Sequence, residues 1–379
     1  MPLPQLEMTR PALLLLLALS ACATVRPPAP APSATTAAGG APAARPPEIV
    51  YEPEVIAPAQ VDLELTDKND EELFAIGSAA YGAGDFRRAA AAFARIADVH
   101  PQSSHAATAV FDAGLSYQKL EEWRLALERF RAFAKGFDGP DAVDAEFRIA
   151  QCLYHLDELD DARALLRTLA DRPGLEPELR IRALAERGVV ELEAGKGEEA
   201  ERTLQLALQA WREGSERESL DEWHAAQAQF YLGEVYREWF RAIPLVPKGA
   251  DEAELAQALE NKAQMLLTAQ GHYIRAIRMQ NEQWAVAAGF RCGELYDELR
   301  RQMLEAPLPP GLSDEEAAAY RDILHQRLRI LAEKAIVAYE QTLALAARAR
   351  VDDNRFLEPT RKALDEMRAV LADKKTAAR

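Results

Sequence analysis

An all-α fold of stacked helical hairpins is predicted by three features of the chain. The first is a two-helix pattern from Leu73 to Pro101, interrupted once at Gly82-Ala83-Gly84-Asp85. The second is recurrence. The small residue in the middle of each first helix falls at Gly77, Gly114, Ala150 and Gly188, with spacings of 37, 36 and 38. The third is composition: 49% hydrophobic residues with abundant Ala, Leu, Glu and Arg, only 7% aromatics and few β-branched runs, which disfavours a large sheet. A lone hairpin cannot bury its apolar face, so a recurring one implies a stack.

Taken in order, the chain opens on an apolar run, Pro11 to Leu19, that contains five consecutive leucines. The run is too short to span a bilayer and has the length of a signal-peptide core. Met8-Thr9-Arg10 supplies the positive start such leaders use, so Met1 and Met8 are both candidate start positions. Leu19-Ser20-Ala21-Cys22 then resembles the lipobox of bacterial lipoprotein signals. That resemblance implies cleavage after residue 21 and a lipid on Cys22. Ala23, in place of an acidic residue, implies sorting to the outer membrane, with the folded part facing the periplasm. Several acyl chains, at ~0.8 kcal/mol per buried methylene, anchor stably. Residues 22–69 read as a tether rich in Pro, Ala, Ser and Thr that spans roughly 35–40 Å as a coil. Within it, Ile49-Val50-Tyr51 is a mildly apolar patch.

Residues 70–210 form four hairpin units. The first pairs Ile76, Gly77 and Tyr81 with Ala89 and Phe93, and ends at Pro101. The second carries Phe111, Gly114 and Tyr117, then Trp123, Ala126 and Phe130. The third carries Phe147, Ala150 and Tyr154, then Leu159, Ala162 and Leu166. The fourth has Leu184, Gly188 and Leu192, then Ala200 and Leu204. This pattern of a large apolar residue, Gly or Ala, an aromatic, a Gly-Asp-aromatic turn, Ala, an aromatic and Pro resembles tetratricopeptide repeats. The resemblance implies an α-solenoid whose first helices line a concave groove.

Residues 211–350 read as two enlarged repeats of the same type, opening on Leu232-Gly233-Glu234-Val235-Tyr236 and Cys292-Gly293-Glu294-Leu295-Tyr296. Each is broken by prolines, at Pro244 and Pro247 and at Pro307, Pro309 and Pro310. Each then restarts on acidic residues suited to a helix N-terminus, at Asp251-Glu252 and after Ser313. Residues 351–379 form a capping helix and tail, with Asp353 or Asn354 near the cap and Phe356, Leu364, Met367 and Leu371 on one face.

The net charge of -16 excludes broad nonspecific binding to nucleic acid, and no basic stripe with interleaved aromatics is present. None of the six histidines falls in a His-x-x-x-His spacing, and no nucleophile elbow, phosphate loop or dinucleotide turn occurs. No cofactor or catalytic residue is predicted. Cys152 and Cys292 read as buried structural thiols.

By the repeat resemblance, Phe74, Phe111, Phe147, Phe230 and Phe290 face the groove three places before each marker, and Tyr81, Tyr154 and Arg237 four places after it. Recurrent aromatics there suit capture of a partner segment. The alternative is that the rings pack between neighbouring first helices and stiffen the stack. The expected function is a non-catalytic scaffold in an envelope complex. The first three units resemble repeats of the outer-membrane-protein assembly lipoprotein and of a cell-division coordinator, and the composition more loosely resembles myxobacterial gliding-motility repeat proteins. The rival is a periplasmic enzyme or glycan-binding module around Glu234, Glu294 and Tyr296.

Overall fold

The computed structural model describes residues 63–137, 139–216, 219–245, 252–306, 308 and 311–376. The leader, Cys22, most of the tether and parts of both proline-bearing breaks lie outside the described residues. Among the described residues there are thirteen α-helices and no strand. They pair as α1 Asp70–Gly82 with α2 Phe86–Val99, α3 Ala106–Lys119 with α4 Trp123–Gly136, α5 Pro140–His155 with α6 Leu159–Ala170, and α7 Pro177–Glu193 with α8 Gly197–Ser215. Two longer pairs follow, α9 Trp223–Ala242 with α10 Glu252–Arg278 and α11 Glu282–Glu305 with α12 Asp314–Ala349; α13 Leu357–Thr376 comes last. The described residues divide into two compact units, one ending at Arg129 and one beginning at Phe130.

In the first unit α1 packs on α2 and α2 on α3 around Leu73, Ala89, Phe93, Ile96 and Ala109. Residues 63–69, assigned above to the tether, are folded here. Leu63–Leu65 form a 3-10 turn that buries Leu65 in this core, and Glu64 pairs with Arg88 at 2.9 Å. Asn69 and Glu72 then cap α1 reciprocally in a capping box. In the second unit the first helices α7, α9 and α11 lie side by side, each also packed on its own second helix. There α13 packs along α12 and touches α11.

The four short hairpins turn by one device. Seven positions after the marker stands a left-handed residue: Gly84 (φ +80°), Glu121 (φ +59°), Asp157 (φ +61°) and Gly195 (φ +71°). The next N–H reaches back five residues to close the helix end, as from Asp85 to Ala80 at 2.9 Å and from Glu158 to Leu153 at 2.9 Å. A side chain in this conformation costs roughly 1 kcal/mol. Glu121→Gly and Asp157→Gly are therefore each expected to stabilise the protein by about 0.5–1 kcal/mol, less the entropy glycine adds to the unfolded chain. Urea midpoints of the two variants check this; a fall in both would show the turns are held by their side chains.

The marker residue is a socket for the second helix. A methyl group at Gly77 would lie 2.7 Å from the Phe93 ring, and one at Gly188 2.5 Å from Leu204. Both partners come 16 positions after the marker. In the enlarged pairs the socket partner is a tyrosine much further on, Tyr273 for Gly233 and Tyr339 for Gly293, each fully buried. The insertions therefore lengthen the arms beyond the socket and leave the crossing itself intact. Their mass goes mostly to the second helices: α12 has 36 residues, and its first buried residue is Leu324. At the end of α9 the proline-bearing break is tied by Lys262 of α10, whose Nζ donates to the carbonyls of Phe240 and Ile243, each at 2.6 Å. Burial pushes that amine down to about 8. Both Cys152 and Cys292 are buried and outside any disulfide.

Candidate functional site

The positions expected to line a groove divide into two groups. Phe74, Tyr81, Phe111 and Tyr154 are half-buried. Phe74 stacks on His105 (4.4 Å) and meets Phe93 edge-on (5.8 Å), while Tyr81 meets Phe86 edge-on. Phe147, Phe230, Arg237 and Phe290 are only 0, 2, 3 and 7% exposed. Their expected place on an open wall is corrected. Phe147 lies under the Arg182 guanidinium at 4.0 Å, so it packs between successive first helices. Arg237 is enclosed by carboxylates, and Phe230 and Phe290 are covered by a segment described below. Cys22 lies outside the described residues.

Arg237 centres an ionic network between α9 and α11. Its guanidinium pairs with Glu298, with Glu294 at 3.1 Å and with Glu234 at 3.6 Å. Arg241 also pairs with Glu298, Arg291 binds Glu294 and lies 3.2 Å from Glu234, and the Tyr273 hydroxyl donates to Glu234. Three guanidiniums thus match three carboxylates. Burial pushes Glu298 up, but hydrogen bonds and charge from Arg241 and Arg237 outweigh it and hold the carboxyl below its usual range. Burial alone would lower Arg237; the three glutamates instead raise it. Of the rival constellation, Glu234 and Glu294 are ion-paired within this network, while the Tyr296 hydroxyl bonds outside it. The Tyr296 hydroxyl accepts from Gln270 at 2.6 Å, on the side of a groove of about 820 Å³ lined by Ile277, Cys292 and Val337. Burial pushes the Cys292 thiol there up to about 12, which leaves it unreactive.

The accessible edge of the first helices runs one helical stripe over from the expected one. A cleft of about 450 Å³ separates α7 from α9, lined by Leu192, Glu193, Tyr231, Glu234, Glu238 and Trp239. Tyr231, Glu234 and Glu238 follow at three- and four-residue intervals, the spacing of one helix face. Burial pushes the Tyr231 hydroxyl up to about 12. The signal for this stripe was present in the sequence as Tyr231, the neighbour of the chosen Phe230.

Beside the cleft, the link from α12 to α13 crosses the first-helix face. Arg350, left-handed at φ +57°, reverses the chain. The Phe356 ring then rests against Phe290 (5.5 Å) and Phe230 (6.2 Å), with the Arg291 guanidinium 5.5 Å from it. Asn354 donates its amide to the Gln283 backbone carbonyl at 3.0 Å and to its side chain at 2.7 Å. Arg355 is exposed and acts electrostatically on both Tyr154 and Tyr231.

Hairpins stacked so that α7, α9 and α11 share one face, with an aromatic-lined cleft on it, define a helical-repeat scaffold. The tetratricopeptide repeat family model matches residues 74–110 and 111–177. Its repeats mark a protein–protein interaction scaffold, a fold that is typically non-catalytic. Among solved structures, the chain is similar to a tetratricopeptide repeat protein from Parabacteroides merdae, with 15% identity over 79% of this chain and 98% of that one and a TM-score of 0.37. It is similar also to a repeat protein from Bacteroides fragilis (12% identity, 62% and 98% covered, TM-score 0.29). A third likeness is to the apo form of RapI (12% identity, 80% and 99% covered, TM-score 0.44). No match was found among curated proteins.

Proposed function

We propose that this chain is a lipid-anchored, periplasm-facing scaffold subunit of an outer-membrane-associated protein complex, holding a partner segment on the face of its first helices. The observation that carries the binding half is the cleft between α7 and α9, where Tyr231 and Trp239 offer ring surface and Glu193 and Glu238 offer charge. Aromatic anchors ringed by polar groups are what peptide-recognising grooves use. The anchor half rests on the lipobox-like Leu19-Ser20-Ala21-Cys22. Assembly, division or gliding machinery of the envelope are the settings the sequence resemblances suggest.

Two measurements test the halves separately. A photo-crosslinking residue at Tyr231 is expected to capture one discrete envelope protein, whereas the same residue at Leu206, exposed on the second helix α8, captures none. Equal labelling from both positions would remove the first-helix face from the reading. Cys22→Ser is expected to move the protein from the membrane to the soluble fraction; unchanged sedimentation with envelope lipids would remove the anchor.

A further inference from the structure

We infer that Asn354-Arg355-Phe356 is an internal ligand of the first-helix face, and that this face recognises a partner segment presenting an aromatic anchor. This rests on the reading of that face as the partner-binding surface and names the chemistry it selects. Three observations carry it. First, the segment is a turn leading into α13, with the Phe356 N–H donating to Asn354 Oδ1 at 2.9 Å, and it lies across two successive first helices. Second, its one large apolar side chain sits against Phe230 and Phe290, equivalent residues on α9 and α11, so the seat is built from the repeat itself. Third, its contacts are peptide-like. The Asn354 amide binds a backbone carbonyl and a side-chain carbonyl of Gln283, and the Arg291 guanidinium lies 5.5 Å from the Phe356 ring.

A partner using the same seat must displace this strap, so its apparent affinity falls by the fraction of time the strap is open. The strap is held by the Phe356 ring, the two Asn354–Gln283 hydrogen bonds and the Val351 N–H donating to the Ala346 carbonyl, and its Asn354 side chain caps α13, which packs along α12. Opening therefore gives up the cap of α13 and leaves its packing along α12.

The probe is a fluorescein-labelled peptide with the sequence of residues 351–358, Val-Asp-Asp-Asn-Arg-Phe-Leu-Glu, titrated against the full chain by anisotropy. Phe356→Ala in the protein is expected to tighten binding of this peptide at least tenfold, because the internal competitor has lost its anchor. A peptide with Ala in place of its Phe is expected to bind neither protein. Asn354→Ala, which removes the Gln283 contacts and the side-chain cap on the Phe356 N–H, is expected to give an intermediate gain and covers the case in which Phe356→Ala fails to fold. In the wild-type chain, the amides of residues 351–356 are expected to exchange with deuterium well before those of α11. Unchanged peptide affinity in the folded Asn354→Ala and Phe356→Ala variants, or exchange of the strap only with global unfolding, overturns the inference. If Tyr231 still crosslinks a partner in those circumstances, the strap alone is wrong; if it does not, the groove reading falls as well.

Discussion

Arg237→Ala is expected to destabilise the protein by about 3–5 kcal/mol, the range for removing one partner of a buried ion pair. The substitution leaves Glu298, 8% exposed, with only Arg241, and leaves Glu234 and Glu294 facing each other with only Arg291 between them. In the wild type the charges balance, and desolvation has already been offset by hydrogen bonds; in the variant a buried carboxylate is left over. The double variant Arg237→Leu with Glu298→Leu separates this from simple loss of volume. It removes one charge of each sign, leaves Arg291 to serve Glu234 and Glu294, and returns Arg241 to Glu238, which it already contacts at 2.8 Å. Its stability should recover most of the loss. Equal instability of single and double variants in urea denaturation would show that the network is net stabilising as an ionic assembly. The pH dependence has a defined sign. Glu298 is held below its ordinary value of 4.5, so its contribution is present above that pH and is lost as pH falls through the lower folded value.

Gly293→Ala is expected to cost about 3 kcal/mol, at the upper end of overpacking penalties, and Gly233→Ala a similar amount. The added methyl meets the ring of Tyr339 or Tyr273 well inside 3.0 Å, and both rings are fully enclosed, so neither can swing aside. Gly271→Ala in α10 is the control. There a methyl meets only the mobile end of Arg275 at 3.4 Å, and the better helix former should stabilise by about 0.5–1 kcal/mol. The same exchange thus carries opposite signs at two helical glycines. Rescue is foreseeable too, because the third hairpin already places Ala150 with Leu166 sixteen positions on, both buried. Tyr339→Leu should therefore recover part of the loss in Gly293→Ala, and thermal melts of the three proteins would show it. Additive losses would mean that the socket does not set the fit.

The repeats were legible because their requirement is local. A small residue must face a large one across each hairpin, and at a spacing of 16 the eye finds Gly77 with Phe93 and Gly188 with Leu204. Tyr273 and Tyr339 were not recognised as the same residue, since insertions put them 40 and 46 positions after their markers. The proposed binding face lies one helical stripe away from the positions expected from the sequence. Which stripe is open depends on what lies across it, and Phe356 comes from a segment with no repeat pattern of its own. The ionic network had half a signal. Glu234 with Arg237 and Glu294 with Glu298 share helix faces at three- and four-residue spacing, but their pairing spans 57 and 61 residues and depends on how α9 and α11 align. Short-range patterning carries no information about that.

Helix α12 is continuous over 36 residues, roughly 54 Å at 1.5 Å per residue, and is capped reciprocally by Ser313 and Glu316 at its outer end. The Asp314–Asp322 stretch carries no buried residue, whereas Tyr339 is locked in its glycine socket further along. Such a rod is a strut with one fixed bearing and one free tip. A pull applied at the tip reaches the Gly293 bearing undiluted by any loop, and α11, which carries that bearing, also carries the glutamates clamped by Arg237.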